Sequence, residues 1–541
     1  MIATAFAALL AVCLQNAPPN APQAAPQNAP QDAPPSAAPA APALEPIEIS
    51  LEDALHLALQ NNLSIAGARL DAQATVEQFG SEWGAFDTVF NAGASWDRIT
   101  TAPSPANFAG GIDVGGNAVP VERTTTAWTT GFAGQFLTGT RWSFDIGPRQ
   151  VETQGAADPD DPTDDGFDEV TTGEWNLNVV QPLLRGGGDY ARSALVVARH
   201  DAHAAALDAE QLASDTLQSV TTAYWLVVFA RQDTKTRELS VQLATELLDI
   251  TRRKFEQGLQ NKIEVTQAEA ELATRREELL TAQNTEKGAE DNLRELVFAP
   301  SAKDAWNRPL VATTQPEPPQ SGELDVDKAI DVALSWRADV AAERERLERA
   351  EVDVERADNQ ADPQLDLTAG YGINSNQNTY LEAYQHLKDT NYDETSVALA
   401  FSLPIGNRSA GYALRRSEVA RERQGVALRN IEMTAVGDVR AAVRQVELQR
   451  LRVQVTAEAT RLQQEVYDGE VKRLENDLST PYNVQQFQRD LLTAIDNETR
   501  ARLDLEIARS LLLASQGQLL QAYGFERSMP ELSLTDAPPA P

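Results

Sequence analysis

Two histidines are the first residues of this sequence whose type and spacing could do chemistry. His200 and His203 lie three residues apart in a segment that favours a helix, where this spacing puts both side chains on one face. Imidazole nitrogens are good ligands for transition metals, so the pair could hold an ion. A solvated helix face beside Asp201 explains the same residues, and we favour that interpretation, with no metal site.

Paired carboxylates, the usual groups of acid and base catalysis, occur throughout the chain. Glu277-Glu278 and Asp160-Asp161 are examples, and pairs this common single out no catalytic site. A carboxylate enzyme on strands would need acids on neighbouring strands, and the candidates Asp97, Asp145 and Asp366 are sparse. The sequence has no Gly-rich phosphate loop, no nucleophile motif and no His-based triad. We therefore expect neither an enzyme nor a cofactor.

The charge balance excludes one large class of partner. Asp and Glu number 80 against 46 Lys and Arg, which gives a formal net charge of -34 over 541 residues. Such a chain repels a phosphate backbone and has no basic stripe, so we expect no nucleic acid partner. The single cysteine, Cys13, excludes a disulfide framework and a cysteine-based metal site in the rest of the chain.

The N-terminal segment has the features of an export signal. Residues 1–14 contain an apolar core of signal-peptide length that is too short to span a membrane as a helix. Leu10-Ala11-Val12 before Cys13 approximates a lipoprotein box, so acylation of Cys13 and ordinary cleavage both remain open. Residues 15–46 are a Pro- and Ala-rich tether that cannot pack a core.

The remainder of the chain contains two diverged copies of one unit. Residues 47–300 form the first copy, 301–322 a linker, 323–525 the second copy and 526–541 a flexible tail. Segments of the two copies match in the same order, which indicates an internal duplication. The matching segments are Leu51–Leu59 with Val326–Leu334, Val179–Leu183 with Phe401–Ile405, and Gly258–Val265 with Asp477–Val484.

Each copy starts with a helix and continues with strict two-residue alternation. Apolar and polar residues alternate from Phe90 to Asp97, and again around Trp142, Trp175, Leu365 and Val397. Such strands suit a membrane barrel, with one face toward lipid and the other toward water. A soluble sandwich alternates as well, so the strands alone leave both folds open.

A hairpin-like segment in the first copy leaves the number of strands open. Thr124 to Gly147 alternates as strands do, and the acidic stretch Asp158 to Asp165 follows it. The segment fits either additional barrel strands or an external loop. Beyond the N-terminal core no run approaches the roughly 18 apolar residues of a membrane helix, so a spanning chain would need a closed barrel.

Two very long helices follow the strands. Tyr190–Gly258 and Arg408–Asn476 are rich in helix-forming residues and nearly free of Gly and Pro, and each would run roughly 100 Å. A short turn and a second helix follow each, Ile263–Leu296 and Tyr482–Leu520. Apolar residues at seven-residue intervals predict coiled-coil packing. These residues are Val419, Val426 and Met433, then Val439, Val446 and Val453.

This order of strands and helices resembles the TolC family of outer-membrane efflux proteins. The resemblance extends over about residues 47 to 525, and its local segments are Pro363–Tyr371, Val397–Ile405 and Val180–Gly188. It implies an α+β membrane protein, a homotrimeric β-barrel continuous with a long α-helical coiled-coil barrel, with two internal repeats per protomer. It also implies an exit duct of a tripartite efflux or secretion system in the outer membrane of a Gram-negative-type cell. The helical part would lie in the periplasm, and the partners would be outer-membrane lipid, a periplasmic adaptor protein and an inner-membrane pump.

The same resemblance implies a contact site for the adaptor at the helix tips. Members of the family commonly carry a small apolar-Gly-Leu turn there, in which Gly permits a left-handed turn and Leu provides an apolar knob. An ordinary helix-turn-helix cap accounts for these residues as well. The matching positions are Gln257, Gly258 and Leu259 in the first half, and Asn476, Asp477 and Leu478 in the second.

A periplasmic constriction is implied just beyond the tips, where members of the family carry acidic residues around the pore. Glu264 keeps an acid in the first half, whereas Asn483 and Gln486 at the matching positions of the second half are neutral. Amides can narrow a pore by hydrogen bonding but do not form a carboxylate ring for cations. A second hypothesis, a periplasmic coiled-coil structural or adaptor protein, would be extracted without detergent.

Overall fold

The computed structural model describes residues 45–102, 120–155, 166–258, 261–319, 322, 324–377, 379–386, 392–476, 478–525, 527 and 529–537. The chain divides into two units, Met1–Glu45 and Pro46–Pro541, and the described helices and strands belong to the second. Several sequence-based expectations lie outside the described residues. They are the signal peptide with Cys13, the tether before residue 45, the acidic stretch 158–165, Leu259 and Asp477.

The described chain is mostly helical and contains one large sheet. The helices are α1 Leu51–Asn61, α2 Leu63–Glu82, α3 Asp189–Glu256, α4 Lys262–Val297, α5 Lys303–Asn307, α6 Val326–Trp336, α7 Ala338–Ala361, α8 Tyr380–His386, α9 Arg408–Glu475, α10 Pro481–Ser515 and α11 Leu519–Ala522. A short 3-10 helix covers Trp83–Phe86. The strands are β1 Ile47–Ile49, β2 Val89–Thr101, β3 Val121–Gln135, β4 Arg141–Gln154, β5 Phe167–Pro182, β6 Leu310–Ala312, β7 Gln364–Gln377 and β8 Asp393–Ser402.

Six strands form one antiparallel sheet in the order β2-β3-β4-β5-β7-β8. The hairpin-like segment that the sequence left open is therefore part of this sheet, as β3 and β4. β5 leads into α3 and β8 leads into α9, so one end of the sheet continues into the long helices. The short strands β1 and β6 pair separately and parallel to each other.

Strand register keeps the predicted two faces continuous across the sheet. One face carries a row of directly paired large side chains on five successive strands, and the ring centroids of its first two members lie 5.4 Å apart. This row is Phe90, Phe132, Phe144, Leu177 and Tyr371. The neighbouring row, which points to the other face because side chains alternate, is Asn91, Gly131, Asp145, Asn176, Gly372 and Glu394.

The largest core packs the first helix of the chain against the middle of α3. Leu55 on α1 and Leu217 and Tyr224 on α3 are fully buried there. The Tyr224 hydroxyl donates to the Ile49 carbonyl at 3.2 Å and accepts from the Thr314 amide at 2.9 Å, so it joins the ends of β1 and β6 to the helix. The whole Tyr224 side chain can be buried because its hydroxyl makes both of these hydrogen bonds.

The two long helices begin and end close to the predicted positions. Tyr190–Gly258 was expected and α3 spans Asp189–Glu256, and Arg408–Asn476 was expected and α9 spans Arg408–Glu475. Each has 68 residues, which corresponds to roughly 100 Å. Each is followed by an antiparallel partner, α4 or α10, with which it forms a helical hairpin.

The prediction that the last long helix extends to Leu520 is wrong, because α10 ends at Ser515. Gly517 adopts φ +72°, and the Gln518 amide donates back to the Leu513 carbonyl at 2.9 Å. A left-handed residue of this kind ends a helix, and glycine adopts it without steric cost. At Gly517 a Cβ would also lie 2.8 Å from the backbone of Arg337.

The two predicted seven-residue series on α9 differ in burial. Val439, Val446 and Val453 are buried, and they pack against α6 and α10. The other three residues are 57 to 73% exposed in the single chain; they are Val419, Val426 and Met433. Within the described part of the chain, no helix is both long and apolar enough to cross a membrane.

Candidate functional site

The tip of the first helical hairpin is an exposed left-handed turn. Gly258 has φ +76°, and its amide donates to the Phe255 carbonyl at 2.9 Å, which ends α3. Gln257 precedes it as the C-cap residue, and both are exposed. Apart from its neighbours in the chain, no described residue has a heavy atom within 4 Å of where a Cβ on Gly258 would be, so the backbone angle, and not crowding, favours glycine here.

The tip of the second hairpin is built differently. The Asn476 side-chain amide donates to the Lys472 carbonyl at 2.7 Å, and the Leu478 amide donates to the Arg473 carbonyl at 2.8 Å. These bonds occupy carbonyls that the end of a helix leaves without intrahelical donors. The side chain of Leu478 is 69% exposed, so an apolar knob is present at this tip.

The two tips share a small apolar core. Leu247 of α3, Leu474 of α9 and Val484 of α10 are buried together. Tyr467 packs partly buried against this core, and burial, with the nearby carboxylates of Glu246 and Asp468, raises the pKa of its hydroxyl. The core fixes the relative position of the turns that carry the expected adaptor contacts.

Glu264, expected at the constriction, has a local structural role as well. The Glu264 amide donates to the Asn261 side chain at 3.1 Å, and the Asn261 amide donates to the Glu264 carboxylate at 3.4 Å. This reciprocal pair is a capping box, and it satisfies two amides at the start of α4. The carboxylate therefore lies at a helix N-terminus, where negative charge is stabilised.

The two expected amides lie exposed on the first turns of α10. The main-chain amide of Asn483 donates to the Thr480 hydroxyl at 3.4 Å, and its side-chain amide donates to the Ser479 hydroxyl at 3.4 Å. Gln486 accepts from the Arg489 guanidinium at 3.2 Å and donates to the Asp490 carboxylate at 3.3 Å. Sequence reasoning missed Arg489 and Asp490, although their positions three and four residues after Gln486 on a helix could have indicated them.

The other candidates for chemistry are not brought together. Asp145 lies in the same cross-strand row as Asn91 of β2 and Gly372 of β7. Asp97 is six residues beyond this row on β2, and Asp366 is six residues before it on β7. Six strand residues correspond to about 20 Å, so the three carboxylates form no pair.

The expectation of a solvated face around the two histidines is wrong for His200. His200 is 7% exposed, and its Nδ1 atom lies 2.8 Å from Oε2 of Glu345 on α7. The reason is tertiary: α7 packs against this part of α3, which the sequence spacing of His200 and His203 does not reveal.

Comparison with known proteins identifies the class of molecule. A family model described as outer membrane efflux protein matches residues 154–297 and 329–518, more than half of the chain. The chain therefore belongs to the outer membrane efflux protein family, as the resemblance seen in the sequence implied. Among curated proteins, it is 31% identical over 90 residues to toxin and drug export protein A of Aggregatibacter actinomycetemcomitans. That match covers 17% of this chain and spans only 20% of the length of the relative.

Solved structures share the fold over most of the chain. The Campylobacter jejuni CmeC outer membrane channel has a TM-score of 0.61 and 16% identity, with coverage of 88% of this chain and 86% of that one. Vibrio cholerae VceC has a TM-score of 0.59 and 18% identity, with coverage of 86% and 96%. The open state of the Neisseria gonorrhoeae MtrE channel has a TM-score of 0.57 and 17% identity, with coverage of 87% and 89%.

Family and fold are thus those of transport channels. The chain is a member of an outer-membrane efflux family, and it has the fold of solved outer-membrane channels. The alternative hypothesis of a periplasmic structural or adaptor protein does not agree with this family.

Proposed function

We propose that three copies of this chain form the exit duct of a tripartite efflux or secretion system. In this proposal, residues 1–14 direct export and 15–46 form a tether. Residues 47–300 and 323–525 are two repeats of one unit, joined by 301–322 and followed by the tail 526–541. A periplasmic adaptor and an inner-membrane pump deliver the solute. The family membership of the chain carries the proposal.

The free edges of the sheet support closure by several copies. β2 pairs only with β3, and β8 only with β7, among the described strands. Open edges of 13 and 10 residues cannot face lipid, because their amides and carbonyls would lack partners. All five strand pairs are antiparallel, so β2 and β8 run in opposite directions. β8 of one copy can therefore pair antiparallel with β2 of the next.

Closure by three copies would give three times six strands, eighteen in all. The row that begins at Phe90 would then face outer-membrane lipid, and the row that begins at Asn91 would face the water-filled lumen. A barrel of this strand number encloses an aqueous channel, whereas one of about eight strands is filled by its own side chains.

An apolar stripe on α9 supports the same assembly in the helical part. Val419, Val426 and Met433 repeat every seven residues and are exposed in the single chain. Side chains with this spacing pack as knobs into the holes of a neighbouring helix. A second copy of the chain would cover them, and the helices of three copies would then form the coiled-coil barrel.

The exposed residues around the tips support an adaptor contact there. Leu478 is accompanied by Ile263 at the start of α4 and Tyr482 at the start of α10, both more than 60% exposed. Large apolar side chains that protrude around a rigid turn are the kind that a partner helix pair buries. We infer that Gln257, Gly258 and Leu259 of the first tip and Asp477 and Leu478 of the second contact the adaptor.

The experiment is a membrane fractionation followed by a mass measurement. We expect the chain in the outer-membrane fraction, and a protein mass of three chains after solubilisation in detergent. Val426→Asp places a charge in the apolar stripe, and we expect it to lower the proportion of the chain that is trimeric. Arg421→Asp introduces the same residue on a different side of the helix and is the control. A monomer in the soluble fraction would end the proposal.

A further inference from the structure

Two histidines and two glutamates converge where α3 packs on α7. His200 and His203 lie on α3, and Glu345 and Glu348 lie on α7, each pair three residues apart. The His200 Nδ1 atom is 2.8 Å from Glu345 Oε2 and 3.6 Å from Glu348 Oε2. The His203 Nδ1 atom is 3.6 Å from the same Glu345 oxygen. Two helices thus bring two imidazoles and two carboxylates together at one helix contact.

The cluster is largely withdrawn from solvent but remains accessible from one side. The side chain of His200 is 9% exposed, and those of His203 and Glu345 are 22 and 23% exposed. Glu348 is 61% exposed and marks the open side. Burial of three polar side chains at one contact is costly unless their charges and hydrogen-bonding groups are satisfied.

The charges at this contact are not balanced by basic residues. Among the described residues, neither Glu345 nor Glu348 has a Lys or Arg nitrogen within 4.0 Å. Arg346 and Arg349 of α7 pair with other residues of α3, Arg346 with Asp208 and Arg349 with Asp201 at 3.0 Å. Two carboxylates beside two imidazoles therefore form a cluster whose negative charge a divalent cation would neutralise.

The spacing of the donor atoms fits a small transition-metal ion. Zn²⁺ binds imidazole nitrogen and carboxylate oxygen at about 2.0 to 2.2 Å, so tetrahedral ligand atoms lie roughly 3.3 Å from one another. The distances from His200 to Glu345, from His200 to Glu348 and from His203 to Glu345 are 2.8, 3.6 and 3.6 Å. His200, Glu345 and Glu348 each provide one ligand atom such that the three atoms lie within 4.8 Å of one another. His203 would join them as the fourth ligand after rotation of its side chain.

We propose that His200, His203, Glu345 and Glu348 form a binding site for a divalent transition metal of the Zn²⁺ type. Neutral imidazole with carboxylate is a donor set that suits Zn²⁺ and its neighbours, and four side chains provide a full tetrahedral set. The ion would bridge α3 and α7 and so fasten the two helices together. A structural site with four protein ligands stabilises a fold directly, whereas a catalytic site keeps a position open.

The test uses the full-length chain, purified in detergent and stripped with a chelator. Zn²⁺ is titrated in by calorimetry, and Co²⁺ is then used as a spectroscopic probe of ligand geometry. We expect one Zn²⁺ per chain, a Co²⁺ absorption spectrum of tetrahedral intensity, and a higher melting temperature in the metal-loaded protein. His200→Ala and Glu345→Gln should each weaken the binding at least tenfold.

A matched control separates this site from incidental binding by histidine. His56 is exposed on α1, and its ring packs on that of Phe525 with centroids 4.9 Å apart. His56→Ala should leave Zn²⁺ binding unchanged. Glu348→Gln is a second variant on the exposed side of the cluster, and it tests the site even if His200→Ala fails to fold. Absence of saturable binding, or equal binding by all variants, would overturn the proposal. The measurement does not depend on transport, so its failure would leave the duct proposal untouched.

Discussion

The ammonium group of Lys254, in the last turn of α3, donates a 3.0 Å hydrogen bond to the main-chain carbonyl of Leu474 in the last turn of α9. The end of a helix has carbonyls without intrahelical donors and carries the negative end of the helix dipole, so a cation is stabilised there. The bond ties the tips of the two helical hairpins of one chain together, on top of the small core that Leu474 shares with Leu247 and Val484.

Replacement of Lys254 by Met should loosen the two tips. Met keeps most of the aliphatic side chain but cannot donate, so the loss includes the charge-assisted hydrogen bond to Leu474, worth about 1 kcal/mol. We expect about fivefold faster amide hydrogen exchange at the ends of α3 and α9. Lys235→Met, at an exposed position of the same helix, is the control. Unchanged exchange at both helix ends would show that the bond does not hold the tips.

The two neutral residues expected at the constriction give a second prediction. Asn483→Ala or Gln486→Ala should raise single-channel conductance in a planar bilayer, because each removes an exposed amide from the first turns of α10. The effect of Gln486→Ala should be larger, since it also frees Arg489 from its 3.2 Å bond. Asn284→Ala, at an exposed position far from the tip, should leave conductance unchanged. Conductance equal to wild type in both tip variants would remove these residues from the gate.

Arg337, at the junction of α6 and α7, gives a prediction on stability. Its side chain is 10% exposed, and the guanidinium donates to Asp339 of α7 at 2.7 Å and to Asp438 of α9 at 3.0 Å. It also reaches the Ser515 carbonyl at the end of α10, at 3.4 Å. Arg337→Ala leaves two carboxylates without their partner, and we expect a loss of about 3 kcal/mol.

The measurement for Arg337 is the melting temperature of the protein in detergent. The melting temperature of Arg337→Lys should lie between those of the wild type and Arg337→Ala. An ammonium group cannot replace the planar set of guanidinium donors that reaches three partners. Arg344→Ala is the control, since that side chain lies on α7 and is 45% exposed. An equal loss in Arg344→Ala and Arg337→Ala would contradict a special role for Arg337.

The sequence predicted the order of elements well because the signals for that order are local. The long α3 and α9 were placed within two residues at each end, since composition and the lack of Gly and Pro act residue by residue. The two-residue alternation also predicted which residues share a face of a strand. Phe132 and Phe144, both predicted on an apolar face, are paired directly across β3 and β4. The pattern could not decide whether β3 and β4 join the sheet, because alternation defines a face and not a neighbour.

Contacts between distant segments were not predictable in the same way. His200 lies 145 residues from Glu345 in the chain, and only the packing of α7 on α3 brings them together. The exposed and buried seven-residue series on α9 have the same spacing, so the sequence did not show which of them α10 covers. Burial depends on the surface that packs against a segment, and the sequence of the segment alone does not identify that surface.

The last prediction concerns Glu506 on α10, whose side chain is 11% exposed. Burial raises the pKa of this carboxyl above its ordinary value of 4.5, although the Arg509 guanidinium at 2.6 Å and the Glu317 amide at 3.1 Å both act to lower it. The folded protein therefore binds this proton more tightly than the unfolded chain. The carboxyl opposes folding at neutral pH, and this effect disappears as the pH falls toward 4.5.

Glu506→Gln should for this reason stabilise the protein at pH 7.5, and the gain should shrink as the pH is lowered toward 4.5. The amide oxygen still accepts from the Glu317 amide, so the main-chain contact is kept. Melting temperatures of both proteins across this pH range provide the measurement. Glu447→Gln, at an exposed position of α9, is the control for the removal of one negative charge from a chain with an excess of them. A gain that is constant with pH, or a loss of stability at pH 7.5, would mean that the ion pair with Arg509 outweighs the cost of burying the carboxylate.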